Sequence, residues 1–330
     1  MLLISFLVAT LFTLSTSKSL SLESEWASFK KNYDKTYSNP EEELYRQTIF
    51  HKNLELIEQH NEKATQGIHT YRLGITKFSD LTHDEMKSTG LIIDQEPSSV
   101  NAMHAKATKS KGKLPKSVDW RSKGILTKVK DQGICPACWA FATVAAIEAA
   151  YAQKNGKVVK LSEQNLIDCS EGAKGCKPYS VGMAYKYAQA KGIDAAKCYP
   201  YVSRKDTTEK SCRFNETCSE VKISKYAYIK AHNEEALEAA VSKQVVSATL
   251  DAEIQDFYLY KGGIINTQKC SKEVVSHAVA LVGYGTENGT PYWIFKNSWG
   301  EKWGEKGYGR LLRGNNTCGI VASVSFFPML

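Results

Sequence analysis

Nine cysteines lie between Cys135 and Cys318 of this 330-residue chain, and none lies before them. Where disulfides persist, so dense a set closes covalent loops that limit which folds can form, and an odd count leaves at least one thiol unpaired or bridged to another chain. The start of the chain bears on the compartment. An apolar run from Leu2 to Leu14, followed by Ser15 and Ser17, is shorter than the roughly 20 residues of a bilayer span and reads as a signal peptide over residues 1–17. The chain is therefore expected to enter the secretory pathway as a secreted or lysosomal protein, with no membrane span. Two of the cysteines stand three residues apart in DQGICPACWAF, Asp131 to Phe141. That spacing leaves three readings open: a redox pair, half a metal site, or a structural cysteine beside a reactive one. There is no second C-x-x-C to complete a zinc site, so no metal and no organic cofactor is expected.

Composition excludes other classes. The formal charge is +8, but Lys and Arg are scattered with no basic run and no interleaved aromatic platform, which reads as a solvated surface rather than a nucleic-acid site. The Asn-x-Thr triplets at Asn215, Asn288 and Asn315 are candidate glycosylation sites. From about Leu20 to Lys87 the chain is charged, free of cysteine and reads as helical, with Leu44, Ile49, Phe50, Leu54 and Ile57 at helical spacing. A Ser-, Ala- and Lys-rich linker follows, and after Leu114-Pro115 cysteine, Trp and Gly begin. The division expected is residues 1–17 signal, 18–113 prosegment and linker, and 114–330 main domain. Within the last, CWAFATVAAIEAAYAQK and SVGMAYKYAQAKG read as helices, while EVVSHAVALVGYG and TPYWIFKNSW read as strands. Helices first and strands second predict an α+β fold rather than alternating βαβ units.

The chemistry centres on Cys138, at the start of a helix, where unpaired N–H groups and the helix dipole favour a thiolate. Acyl transfer also needs a base that takes a proton and returns it to the leaving group, and His277 is the candidate. A third group must orient the imidazole. Asn297 is suited to accept from the ring, with Trp299 shielding the bond from water.

The stretches SVDWRSKG, DQGICPACWAF, LSEQNLIDCS, SHAVALVGYG and YWIFKNSWGEKWGEKGYGRL carry a resemblance to the papain-like cysteine proteases, and within them to the cathepsin L-like branch. The resemblance implies Cys138 as nucleophile, His277 as general acid/base, Asn297 as orienter, and Gln132 as the side-chain donor to the oxyanion beside the Cys138 N–H. It implies a two-part fold with a helical half and a β-barrel-like half enclosing a cleft. Glu42, Arg46, Phe50, Asn53, Ile57 and Asn61 match the family's E-R-F-N-I-N prosegment pattern, and Gly74, Phe78 and Asp80 match its G-x-N-x-F-x-D motif, with Thr76 in place of Asn. Such a prosegment is implied to lie through the cleft as an intramolecular inhibitor. Other partners implied are protein or peptide substrates and cystatin-like inhibitors.

By the same resemblance Cys135 pairs with Cys176, Cys169 with Cys212, and Cys270 with Cys318; a fourth bridge, Cys198 to Cys218, would leave Cys138 free. The pocket for the side chain two residues before the cut bond is implied to involve Val181, Thr249, Val275, Ala278 and Ser323, and its uncharged lining predicts apolar preference. Tyr179 offers backbone groups to the extended substrate. The chain departs from the family where Pro136 and Ala137 stand between the motif cysteines, where Pro178 and Tyr179 replace Gly-Gly, and where Ser276 precedes His277. The Tyr179 ring is expected to add bulk at the cleft wall and narrow the substrate range. The rival readings are an inactive homologue that acts by binding and a dithiol oxidoreductase using Cys135 and Cys138.

Overall fold

The computed structural model describes residues 22–87, 102–104 and 114–330, so the signal peptide and most of the linker fall outside the described residues. No described helix is long and apolar enough to cross a membrane.

The helical half of the main domain is built on helix α4, Cys138–Asn155. Its Ala-rich sequence favours helix and permits close packing on every side, and Trp139, Ala140, Val144 and Ile147 are fully buried. Gly156, at φ 66°, ends it in the left-handed conformation that glycine adopts without strain. Helices α5 (Glu163–Cys169) and α6 (Val181–Ala190) pack beside it. The other half is a sheet in which β9 (His277–Glu287) lies between β10 (Thr290–Lys296) and β7 (Val246–Leu250). The Asn288-Gly289 turn between β9 and β10 has φ of 49° and 81°, the left-handed pair a tight hairpin demands. Beyond β10 come β11 (Tyr308–Leu312) and β8 (Tyr260–Ile265); beyond β7 come β12 (Ser325–Met329) and β6 (Lys225–Ile229). Trp293, Phe295, Trp303 and Phe257 fill this second core. The helix-then-sheet order is the α+β arrangement expected from the sequence.

Residues before 114 close both edges of the sheet: β1 (Tyr71–Leu73) pairs antiparallel with β8, and β2 (Ala102–His104) pairs parallel with β6. The strand Tyr71–Leu73 lies in a region read as helical throughout. Three residues carry too little periodicity to show a strand whose partner is nearly 200 positions away in sequence. The rest of the prosegment holds α1, residues 22–33, crossing α2, Pro40–Thr65, around Trp26, Phe29 and Phe50, and the short α3, His83–Met86. Asn39 caps α2 by accepting from the Glu42 N–H. The polar members of the E-R-F-N-I-N set each serve a backbone or charge partner. Arg46 bonds Glu85 at 2.7 Å, Asn53 donates to the carbonyls of Ser79 and Leu81, and Asn61 both donates to and accepts from Leu73. Thr76 keeps a polar contact in place of the usual Asn, its hydroxyl donating 2.9 Å to the Tyr258 carbonyl of the main domain.

Candidate active site

Cys138 is the first residue of α4, and Ala137 before it supplies no side-chain cap. It is the one free cysteine among the described residues; the others form Cys135–Cys176, Cys169–Cys212, Cys198–Cys218 and Cys270–Cys318. With Cys135 bonded to Cys176, no Cys135–Cys138 dithiol exists, and the oxidoreductase reading loses its second sulfur. Pro136 fits between the motif cysteines because the Ala137 N–H bonds the Cys135 carbonyl at 2.7 Å, a three-residue turn whose centre suits the fixed φ of proline.

The state of the thiol differs from the expectation. Burial pushes the Cys138 pKa up to about 11, although the N–H groups of Ala278, Trp139 and Cys138 itself pull it down. A helix N-terminus favours a thiolate only where the charge can be solvated, and here desolvation is the larger effect. Burial likewise pulls His277 down to about 4, against the opposing bond to Asn297. In this closed form the thiol and the imidazole are both held neutral.

His277 opens β9 and Asn297 follows β10, so the antiparallel pairing of these strands brings them together. His277 Nε2 lies 2.7 Å from Asn297 Oδ1. That oxygen also accepts from the Ser298 N–H at 2.8 Å, which identifies it as the amide oxygen. An oxygen can only accept, so Nε2 carries the proton and Nδ1 is left as the basic nitrogen. Trp299 packs on the imidazole at 4.7 Å between ring centroids and covers the bond.

Gln132 is held on three sides. Ser298 Oγ donates to its Oε1 at 2.6 Å, its Nε2 donates to the Cys135 carbonyl at 2.8 Å, and the Tyr201 hydroxyl donates to its backbone carbonyl. The amide is thereby oriented, with one N–H engaged at Cys135 and the amide's second N–H available as a donor. Sequence reasoning missed Ser298, although its place directly after Asn297 is the signal that could have found it. It also missed a buried charge chain below the site: Lys296 donates to the Thr127 carbonyl, Thr127 Oγ1 to Glu148, and Lys130 to both Glu148 and Glu163.

Thr249 and Ala278 sit opposite one another on β7 and β9, next to the Leu250 and His277 pair. Val181, opening α6, belongs to the same packed cluster as Ala278. Val275 and Ser323 are buried in the segments leading to β9 and β12. Ser276 is anchored, accepting from the Ala252 N–H and bonding Asp251. Tyr179 departs from expectation. Its ring is buried on Trp139, 4.9 Å between centroids, and its hydroxyl donates to the Glu171 carbonyl. The ring therefore turns into the helical half and adds no bulk to the cleft wall, because burying it beside Trp139 removes apolar surface from water. Asn215 and Asn288 are exposed, as is Asn315, but Thr317 of the third triplet is buried.

The prosegment covers the site. A cavity of about 260 Å³ is lined by Gln132, Cys138 and His277 from below and by Phe78, Leu81 and Met86 of the prosegment. Phe78 stands edge-on to Trp299 and Tyr258, at 5.0 and 5.2 Å, and Tyr258 donates its hydroxyl to the Met86 carbonyl.

Comparison with known proteins agrees with this geometry. Residues 114–327 match the papain family of cysteine proteases, and residues 26–86 match the cathepsin propeptide inhibitor domain. The chain is 39% identical to cathepsin K of Mus musculus over 98% of each protein. It is 37% identical to cathepsin L of Sarcophaga peregrina over 97% of this chain and 98% of that protein. Among solved structures, digestive procathepsin L2 from the Tenebrio molitor larval midgut aligns with a TM-score of 0.86 at 36% identity, covering 94% of this chain and 100% of that one. Digestive procathepsin L 3 of the same source aligns with a TM-score of 0.84, also at 36% identity, over 94% and 99%. A free thiol at a helix mouth, an asparagine-locked histidine and a prosegment lying over both are thus explained together: the chain belongs to the papain family of cysteine proteases and is a zymogen carrying its own inhibitory propeptide.

Proposed function

We propose that the processed chain cleaves peptide bonds within extended substrates through a thioester on Cys138. His277 Nδ1 takes the thiol proton as sulfur bonds to the carbonyl carbon. The oxyanion that forms accepts from the Gln132 Nε2–H and the Cys138 backbone N–H. Collapse of this intermediate breaks the C–N bond, and His277 returns the proton to the leaving amine. Water then attacks the thioester with His277 as base, releasing the acid and restoring the thiol. The observation that carries this is the 2.7 Å bond that fixes the His277 tautomer beside the one free thiol. In the full chain, Cys138→Ala should abolish both self-processing in acid and peptide hydrolysis; hydrolysis that survives the substitution would assign the chemistry elsewhere.

The uncharged, buried set Val181, Thr249, Val275, Ala278 and Ser323 supports an apolar preference two residues before the cut bond. With the Tyr179 ring turned inward, a narrowed substrate range has no structural support, and breadth typical of the branch is the reading. Cystatin-like inhibitors are proposed as partners from family membership. The four disulfides and the leader support secretion or a lysosomal destination, with the signal removed near residue 17 and the prosegment near Leu114, where the papain-family match begins. Exposure supports glycans at Asn215 and Asn288, whereas the buried Thr317 argues against Asn315. Mass spectrometry of the processed chain reads its first residue and its glycans together; a start before about Val100 or a glycan at Asn315 would contradict these assignments.

A further inference from the structure

One polar atom beside the reacting groups is unused by the proposed chemistry. Asn297 is 4% exposed, and its Oδ1 is committed to His277 and to the Ser298 N–H. Its Nδ2 is buried and has no hydrogen-bond partner among the described residues. The same side chain lines a small cavity of about 20 Å³ beneath the cleft, together with Ala145 and Glu148 of α4, Glu163 of α5, Lys130 and Lys296. All of the described lining belongs to the main domain, so the cavity does not depend on the prosegment. The charged groups around it are unevenly satisfied. Glu148 accepts from the Thr127 hydroxyl, from Lys130 and from the Leu161 N–H, whereas Glu163 accepts from Lys130 through Oε1. Lys296 Nζ donates to the Thr127 carbonyl at 2.7 Å and to its hydroxyl at 3.0 Å, which uses two of the three N–H groups of an ammonium. Burial lowers the Lys296 pKa to about 8, with Lys130 acting the same way and Glu148 and Glu163 opposing.

We propose that this cavity is a binding site for one water molecule, which accepts from Asn297 Nδ2 and Lys296 Nζ and donates to Glu163, so that Glu163 positions the asparagine that orients His277. The water site stands on the cavity alone, while its effect on turnover rests on the peptidase reading above. The volume is enough for one water, which needs about 10–15 Å³, and three polar partners fall within the two to four that hold buried water in place. Apolar cavities of this size stay dry, but this one is walled by charges and by an amide N–H that has lost its hydration and gained no partner. The consequence lies in the amide plane. Held only through its oxygen, the Asn297 amide is free to turn its NH₂ toward His277 Nε2, where two donors would face each other and the tautomer with basic Nδ1 would lose its support. Held at both ends, the oxygen stays on the ring. A charge cluster that touches neither thiol nor substrate thus acts on kcat through the asparagine.

A crystal structure of the full chain carrying Cys138→Ala, at a resolution that places water, tests the site directly. One ordered water is expected within about 3.2 Å of both Asn297 Nδ2 and a Glu163 oxygen. A dry cavity, or a water that touches Glu163 without reaching Asn297, overturns the proposal. The positioning role is tested at Ala145, where Val and Thr fill the cavity with the same shape and a similar cost to the helix, but only the Thr hydroxyl can accept from Asn297 in place of the water. In the full chain processed in acid, Ala145→Val should lower kcat about tenfold with little change in KM, while Ala145→Thr stays within about threefold of the parent. Equal loss in both, or loss in neither, overturns the role. Should either variant fail to mature, nitrogen-15 NMR of the folded Cys138→Ala chain reads the His277 tautomer instead: the Nε2 proton should persist with Ala145→Thr and give way to a mixture with Ala145→Val, and a tautomer unchanged by Val overturns the role equally. A processed parent that cleaves no peptide counts against the peptidase reading alone, because the crystal decides the water site without it.

Discussion

At the scale of single residues, the site depends on who donates to whom. Asn297 Oδ1 accepts from His277 and from the Ser298 N–H, which sets the imidazole tautomer, while Ser298 Oγ sets the Gln132 amide. Gln132→Ala should therefore lower kcat by roughly 10²–10³ with a much smaller change in KM, because its free N–H acts on charge that exists only in the transition state. A variant with wild-type turnover would remove Gln132 from the mechanism. The meeting of Cys138, His277, Asn297 and Gln132 in one place was legible because each sits in a short stretch whose neighbours are also constrained. The direction of the Tyr179 ring was not legible: the sequence shows that a side chain replaces glycine, but only packing decides that it turns onto Trp139. Lys77 and Asp131 were hidden for a related reason. They are 54 positions apart, and no local pattern marks two surface-type residues as a part-buried ion pair.

At the scale of elements, the prosegment is held by α2 and β1, where histidines meet a carboxylate. His60 Nε2 lies 3.0 Å from the Tyr71 carbonyl, its ring stacks on His69 at 4.2 Å, and its Nδ1 is 3.9 Å from Asp256, which also binds Tyr71 and Lys269. Burial lowers the His60 pKa in the docked state, with His69 and Lys269 acting the same way against the Tyr71 carbonyl and Asp256. The released prosegment then binds the proton more readily. The docking stability from His60 is full above the free histidine pKa of about 6.5 and falls as pH drops through and below it. The rate of zymogen processing should accordingly rise as pH falls below about 6.5, and His60→Phe should move that onset to lower pH. An onset that does not move in His60→Phe would place the acid sensitivity in carboxylates instead. The strand that holds Tyr71 against β8 could not be read beforehand, since its three residues gain their identity from a distant partner.

At the scale of the whole molecule, the two halves are joined by the cleft and, beneath it, by the chain of charges from Lys296 on the sheet to Glu148 on α4 and Glu163 on α5. Glu148 is 1% exposed and accepts from Thr127, Lys130 and the Leu161 N–H. Glu148→Ala takes the acceptor from the Thr127 hydroxyl and the Leu161 N–H and leaves Lys130 with Glu163 alone, and should cost about 1–3 kcal/mol for each buried donor left unpaired, read as a lower Tm in a Cys138→Ala background. A Tm within a degree or two of the parent would show that the cluster relaxes without it. The two-part architecture was legible through family motifs, and the odd cysteine count pointed to a free thiol. The charge chain was not legible, because charged residues in helices ordinarily face water.

In the zymogen Cys138 and His277 lie buried and neutral beneath the prosegment, and its removal is expected to free the thiol. The most direct measurement is the rate at which an epoxysuccinyl thiol reagent labels the folded chain before and after processing, with peptide mapping of the adduct. A single adduct on Cys138 should form at least about 10²-fold faster in the processed chain if burial under the prosegment is what silences the thiol. Equal rates in the two forms, or a processed, folded chain that leaves Cys138 unlabelled, would contradict it.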